Sequence, residues 1–213
     1  MNLNNFCPRN IQNCGDFLNE LVWLPEFGIG YYPVKEAPYD DEYFSSYLDR
    51  DDAPEGKCLT NHRVRMLNGC DGSTIDIGIG GGKFVKEKNC YGFDINPKAV
   101  DWLQKECRFL NPYRVKVENL TFWDSLEHIH DPAPILMSAK KNVFISMPIY
   151  RDSTHVLTSK HFKKDEHCWY FTDNGLKLFM SYFGFKFVSS NTGEQPIRED
   201  IVSYHFRRVN EGT

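Results

Sequence analysis

Ser73-Thr74-Ile75-Asp76-Ile77-Gly78-Ile79-Gly80-Gly81-Gly82-Lys83-Phe84 runs from an apolar strand through an acid into a glycine-rich turn. Glycine lacks a Cβ, so it takes positive φ freely and lets a ligand come close to the backbone amides. The alternate glycines Gly78, Gly80 and Gly82 at a strand end therefore make a floor for a bulky ligand. Eighteen residues beyond Asp76, a second short strand, Cys90-Tyr91-Gly92-Phe93, ends on Asp94. An acid at the tip of the neighbouring parallel strand is placed to accept hydrogen bonds from a ribose diol. This order of strand, glycine turn, helix, strand and acid predicts an α/β, doubly wound sheet that holds an adenosine-containing ligand.

The loop fails the pattern of one ligand class and weakens that of another. A phosphate-cradling P-loop needs a glycine where Ile77 stands and a hydroxyl where Phe84 stands. The dinucleotide pattern G-x-G-x-x-G, counted from Gly78, meets Lys83 in place of its third glycine. What remains is D-x-G-x-G-x-G. A carboxylate at Asp76 is awkward beside a diphosphate but suits a ligand with a cationic amino-acid end. S-adenosylmethionine (SAM), with its ammonium and sulfonium, is such a ligand.

Three stretches in this order carry a family resemblance: Ile75 to Gly82, then Tyr91-Gly92-Phe93-Asp94-Ile95-Asn96-Pro97, then Leu120-Thr121-Phe122-Trp123-Asp124-Ser125-Leu126-Glu127-His128-Ile129-His130-Asp131-Pro132. From about Thr60 onward the chain resembles a class I SAM-dependent methyltransferase, nearest to the small-molecule branch that includes the ubiquinone-type O-methyltransferases. The resemblance implies a Rossmann-like sheet closed by a C-terminal antiparallel hairpin. It also implies SAM as cofactor, and a small-molecule, sugar or lipid-like acceptor. Cofactor contacts are expected at Arg63, Asp76, Gly78, Gly80, Gly82, Asp94, Ile95, Phe122, Trp123 and Asp124. Among these, Arg63 stands where the ubiquinone-type relatives pair an arginine with the methionine carboxylate; a guanidinium fork matches a carboxylate, and Arg65 is the nearby alternative.

Strands are expected at Thr74 to Ile77, Tyr91 to Phe93, about Val115 to Phe122, Asn142 to Ser146, Phe185 to Ser190 and Ile201 to Arg208. Helices are expected near Pro97 to Arg108 and Thr172 to Phe183. Between the first of these helices and the strand leading to Trp123 only Phe109-Leu110-Asn111-Pro112-Tyr113 intervenes, too little for the strand and helix the family inserts there. The third strand is therefore expected to be reduced. Adenine should then be gripped partly by Phe122 to Ser125, with backbone groups reading its edge and Phe122 or Trp123 supplying a face.

Residues 1–58 read as an aromatic and acidic extension or lid, ahead of a SAM-binding domain at 59–213. In the extension, Pro38 to Leu48 is expected to be a helix capped by Asp40, with Tyr43, Phe44 and Tyr47 on one stripe. Asp49 to Gly56 reads as a loop before a helix around Leu59 to Leu67. At 213 residues the chain suits one core plus an extension, and no apolar run approaches the roughly 20 residues of a membrane span. Met1-Asn2-Leu3-Asn4-Asn5 has no signal-like core. Seven scattered cysteines read as reduced thiols in a cytoplasmic setting, Cys7 and Cys14 included, since a structural zinc wants four ligands. A formal charge of −4 makes duplex nucleic acid a poor partner. The oligomeric state is not encoded in any motif.

Methyl transfer asks mainly for positioning and for a base when the acceptor carries a proton. The base candidates are His128, after the strand ending at Trp123, and His161 and His167, in the loop Ser159 to Phe171. That loop, with Trp169, Tyr170 and three lysines, is expected to form an aromatic-walled acceptor side. A divalent ion on Glu127, His128 and Asp131 ranks below a metal-free site. No Asn/Asp-Pro-Pro-Tyr/Phe tetrapeptide of DNA amino-methyltransferases follows the strand; Trp123-Asp124-Ser125-Leu126 stands there. Two alternatives are a nucleotide-cofactor oxidoreductase or dehydratase on a Rossmann sheet, and a non-catalytic SAM-binding sensor or accessory subunit.

Overall fold

The computed structural model describes residues 6–34 and 41–209, with side chains of the second segment described from residue 44. Asp40 as a helix cap and the Tyr43 side chain lie outside the described residues. In chain order the elements are α1 (Pro8–Leu18), β1 (Val22–Leu24), β2 (Ile29–Tyr31), α2 (Asp41–Asp52) and α3 (Pro54–Met66). The glycine segment follows as β3 (Thr74–Ile77), α4 (Lys83–Lys88), β4 (Tyr91–Phe93), α5 (Pro97–Lys105) and β5 (Val117–Trp123). After a single 3₁₀ turn, Leu126–His128, come α6 (Ala133–Leu136), β6 (Ala139–Pro148), α7 (Ser153–Thr158), β7 (Trp169–Phe171), α8 (Asp173–Tyr182), β8 (Phe185–Asn191) and β9 (Ile201–Arg208).

The main sheet has the order β4-β3-β5-β6-β9-β8. Its first four strands are parallel, and the β8–β9 hairpin closes it antiparallel. Where a third parallel strand would extend the β4 edge there is one bridge, Gly92 to Phe109. The expected reduction of that strand is thus complete: the Gly92 amide donates to the Arg108 carbonyl, the Leu110 amide donates to the Gly92 carbonyl, and no ladder forms.

Strands buried on both faces need apolar residues at consecutive positions. On β5 and β6, Phe122 and Ile145 face one core cluster while Trp123 and Phe144 face the other. Helix starts follow local chemistry. Asn96 caps α5 by accepting from the Lys98 and Ala99 amides, with Pro97 at the first helical position. Thr172 caps α8 in the same way through Gly175.

Two expectations are corrected. Asp49 to Gly56 is not a loop: α2 continues through Asp52 and α3 starts at Pro54, so the break is Ala53 alone. The charged residues carry little helix penalty, and a proline at the first turn begins a helix without losing a needed donor. Gly56 permits the tight corner, since a Cβ there would lie 2.1 Å from the Arg50 carbonyl oxygen. In addition, a second sheet of order β1-β2-β7 was not foreseen. In it β2 pairs antiparallel with β7, so Ile29 to Tyr31 is stitched to Trp169 to Phe171. Tyr31, Trp169 and Phe171 join the central core.

Candidate functional site

The glycine loop has the backbone its sequence demands. Gly78, Gly80 and Gly82 all hold positive φ, at 73°, 54° and 80°. A Cβ on Gly82 would lie 2.6 Å from the Trp102 ring, so α5 packs against the loop at a distance only glycine allows. From the other side, α2 rests on the loop. A Cβ on Gly81 would stand 2.8 Å from the Tyr47 carbonyl oxygen, and the Asp51 carboxylate accepts from the Lys83 amide at 3.4 Å.

Asp94 stands at the tip of β4, half-buried. One of its carboxylate oxygens accepts from the Ile79 amide (2.9 Å) and the other from the Asn96 amide (2.8 Å), tying the glycine loop to the start of α5. Burial raises its pKa despite these bonds. Beside it, Ile95 is 68% exposed, an unusual position for a large aliphatic side chain. Asp76 is placed differently. It is buried within the sheet, accepts from Thr121 Oγ1 at 2.6 Å, and burial pushes its pKa up to about 8.

The β5 tip corrects one detail. The rings of Phe122 and Trp123 are both buried, one in each core, and Trp123 packs edge-on against Phe84 at 5.2 Å. Neither presents an open face, because consecutive residues of a strand covered on both sides point into opposite cores. The backbone from Phe122 to Ser125 and the exposed side chain of Ile95 remain. Ser125 anchors this tip to the loop, its hydroxyl donating to the Ile77 carbonyl.

Asp124, in the left-handed region at φ 57°, joins a four-charge cluster that sequence reasoning missed. Arg198 holds both its oxygens, at 2.5 and 2.6 Å. Arg63 donates to Asp124 at 3.1 Å and grips Glu194 through Nε and a terminal nitrogen at 2.8 and 2.9 Å. Arg198 also reaches Glu194 at 3.2 Å. Against the upward push of burial, Arg198 and Arg63 hold the Asp124 carboxyl well below the usual range. Arg63, expected from the sequence to pair with the methionine carboxylate, reaches the β5 tip, where its partners are protein carboxylates. The i,i+4 spacing of Glu194 and Arg198 was the only available signal.

Three residues along from Asp124 lies a second cluster. Glu127 and His128 share the 3₁₀ turn, and His167 meets them from the loop before β7. The two imidazole centroids are 4.6 Å apart, and one ligand atom from each of the three residues lies within 4.8 Å of the others. The Cys168 amide donates to the Glu127 carbonyl at 2.8 Å, and the Tyr170 hydroxyl donates to the His167 carbonyl at 3.1 Å. Burial lowers His128 to about 4 and His167 to about 2. Glu127 is 1% exposed; burial and then the Asp124 charge raise its pKa.

Other candidates lie elsewhere. His161 turns away, its Nε2 3.0 Å from the Glu199 carbonyl oxygen, so the structure unites two of the three histidines. Asp131 is exposed and accepts from the Ala133 amide, outside the cluster. Trp169 and Tyr170 are buried core residues, because β7 joins the second sheet, and do not wall a pocket. A cavity of about 650 Å³ beside the same loop is lined by Trp23, Tyr32, Leu157, Phe162 and Lys164 among others. All seven cysteines are free thiols. Among the described residues no helix is long and apolar enough to cross a membrane.

Comparisons with known proteins agree with this geometry. No curated protein sequence matches the chain. Among solved structures it resembles magnesium protoporphyrin IX methyltransferase from Synechocystis PCC 6803 with bound SAM (15% identity, 76% of this chain and 84% of that one, TM-score 0.54). It also resembles the 1,6-didemethyltoxoflavin-N1-methyltransferase of Burkholderia thailandensis with bound S-adenosylhomocysteine (14%, 90% and 100%, TM-score 0.54). A third is the N-methyltransferase NodS from Bradyrhizobium japonicum WM9 (13%, 74% and 98%, TM-score 0.53). These likenesses concern the fold. A family model described as a methyltransferase domain matches residues 51–190, well over half of the sequence, and with the loop geometry above this shows that the chain belongs to the methyltransferase-domain family, as a class I SAM-dependent methyltransferase.

Proposed function

We propose that the protein transfers the methyl group of SAM to an oxygen or nitrogen of a small-molecule, sugar or lipid-like acceptor, in the manner of the ubiquinone-type branch. The carrying observation is the pairing of three positive-φ glycines after β3 with an acid at the tip of β4. In this reading the glycine loop and Asp76 face the amino-acid end of SAM, Asp94 accepts from the ribose, and Ile95 covers one face of the adenine. The backbone at Phe122, Trp123 and Asp124 reads the adenine edge. Arg63 exchanges a protein carboxylate for that of the methionine moiety. Residues 1–58, through α2 seated on the loop, act as the lid over this half of the cleft.

The chemistry is a displacement. The acceptor lone pair attacks the methyl carbon, the C–S bond electrons return to sulfur, and S-adenosylhomocysteine leaves as the acceptor loses its proton. His128 and His167 lie at the carboxyl edge of the parallel strands, where ligands of such sheets bind, and an imidazole there takes that proton. His161 is the third candidate, on the far side of the same loop. The free thiols fit a reducing, cytoplasmic setting.

Calorimetric titration tests the reading. SAM and S-adenosylhomocysteine should bind and NAD should not; tight NAD binding with no response to SAM would end it. Asp94→Ala should weaken SAM about ten- to a hundredfold, the loss of a charged acceptor worth about 1.5 to 3 kcal/mol. An unchanged affinity in the folded variant removes Asp94 from the ribose role.

A further inference from the structure

Buried carboxylates are almost always met by donors, because an unpartnered one loses its hydration with nothing in return. Glu127 breaks this rule twice. Both of its carboxylate oxygens are buried and neither has a hydrogen-bond partner among the described residues. In the same pocket His128 and His167 each bring a ring nitrogen within 4.8 Å of a Glu127 oxygen, while Arg198 and Lys163 act on the carboxylate only as charges that pull its pKa down. We propose that Glu127, His128 and His167 form a binding site for one divalent transition-metal cation.

The donor set specifies the class of ion. Two imidazoles and one carboxylate suit Zn²⁺, Co²⁺, Mn²⁺ or Fe²⁺, whereas Mg²⁺ and Ca²⁺ prefer oxygen ligands throughout. The dimensions fit after a small closure. Bonds of about 2.0 to 2.2 Å place ligand atoms roughly 3 to 3.6 Å apart, and the three atoms now lie within 4.8 Å of one another. Rotation of side chains by about an ångström closes that gap.

The surroundings resemble the support that metal ligands need. A ligating histidine is oriented by the hydrogen bond its other nitrogen makes, and His128 has such a bond to the backbone of Glu166. Glu127 and His128 are adjacent on a 3₁₀ turn, and the amide of Cys168, next to His167, is bonded to the Glu127 carbonyl. The backbone therefore fixes the three ligands relative to one another although His167 is distant in sequence. In the cluster His167 stands in place of Asp131, the third residue of the metal alternative that the sequence ranked below a metal-free site.

Three protein ligands leave coordination positions open. Cation binding by these three side chains does not depend on the methyltransferase reading, although His128 and His167 are also its base candidates. Only the further statement that an open position takes the acceptor's oxygen or nitrogen rests on the methyltransferase reading. With the site filled, His128 and His167 are ligands, and proton removal falls to His161 or solvent.

The test uses the full chain after chelator treatment and dialysis, titrated separately with Co²⁺, Zn²⁺ and Mg²⁺ by calorimetry, with the Co²⁺ absorption spectrum recorded. Saturable binding of one Co²⁺ or Zn²⁺ per chain and a spectrum without thiolate charge transfer are expected. Glu127→Gln, which keeps the shape, and His167→Ala should each weaken binding by about tenfold or more. SAM titration of the same metal-free samples reports separately on folding and on the methyltransferase reading. No saturable binding, binding unchanged in Glu127→Gln, or a thiolate-to-cobalt band marking the cysteines would overturn the site.

Discussion

Asp124 and Glu127 sit three residues apart after the same strand, the first with a side chain 24% exposed and the second fully buried, and their surroundings treat them in opposite ways. Asp124 meets two guanidinium groups, one of which grips both of its oxygens, and stays ionised. Glu127 has no side-chain donor on either oxygen among the described residues, only a weak pull from its own backbone amide, and burial pushes it toward the protonated form. The first arrangement is a structural clamp, tying α3, the β5 tip and the β8–β9 connection together through Arg63, Asp124, Glu194 and Arg198. The second is a carboxylate kept in reserve, at a cost in stability that packing alone does not require. A fold that neutralises one buried acid completely and leaves its neighbour bare is spending stability at the second for chemistry.

Asp76 calibrates that comparison, because it is a third buried acid with one hydroxyl partner. Its carboxyl is held at about 8 in the folded protein, from an ordinary value of 3.8. The folded state thus keeps a proton that the unfolded chain releases above its own pKa, so stability is greatest below about pH 4 on this account. It is lost progressively as pH rises toward about 8, by at most about 6 kcal/mol at roughly 1.4 kcal/mol per unit. Asp76→Asn keeps the acceptor for Thr121 and cannot ionise. Urea unfolding from pH 5 to 8 should show the wild type losing stability relative to this variant; parallel curves would show that Asp76 is ionised throughout.

The clamp predicts the next largest effect. Arg198→Met removes the guanidinium that faces both Asp124 and Glu194, leaving two acids to Arg63. Breaking a buried charge network in this way costs about 3 to 5 kcal/mol, with the lower figure expected because the Arg198 side chain is 23% exposed. Chemical denaturation measures it. A loss below about 1 kcal/mol would place the cluster among ordinary surface pairs and erase the contrast with Glu127.

How much of this was legible in the sequence depends on where the chemistry comes from. The glycine loop was legible because its function is backbone geometry written in consecutive residues: Gly78, Gly80 and Gly82 each take the φ that their identity permits. The missing third strand was legible as a shortage of residues, and β9 at Ile201–Arg208 through the resemblance, which implies a closing antiparallel hairpin. Side-chain partnerships were not. Asp124 finds Arg198 and Glu127 finds His167 through tertiary packing, across 74 and 40 positions of chain, and local periodicity carries no trace of such a meeting. Asp131, closer in sequence, was the natural guess for a third ligand and instead caps its own turn at the Ala133 amide. The β2–β7 pairing was hidden for the same reason, since two three-residue strands have no signal until each supplies the other's edge.

The smallest expected effect is the most telling, because its sign is opposite. Glu127→Leu replaces an unpartnered buried carboxyl with an apolar group of similar size. Removing a buried polar group that makes no hydrogen bond relieves a penalty of about 1 to 3 kcal/mol, so the metal-free variant should be more stable than the wild type by up to that amount. Adding Zn²⁺ or Co²⁺ should then raise the wild-type midpoint, since a ligand that binds only the folded state stabilises it by mass action, and leave the variant's midpoint unmoved. The two curves should therefore converge or cross as metal is added, with thermal unfolding at fixed pH as the measurement. A destabilised variant would mean that Glu127 has partners in solution and that the contrast with Asp124 is one of degree. A stabilised variant whose midpoint responds to metal as the wild type does would keep the contrast and move the cation elsewhere.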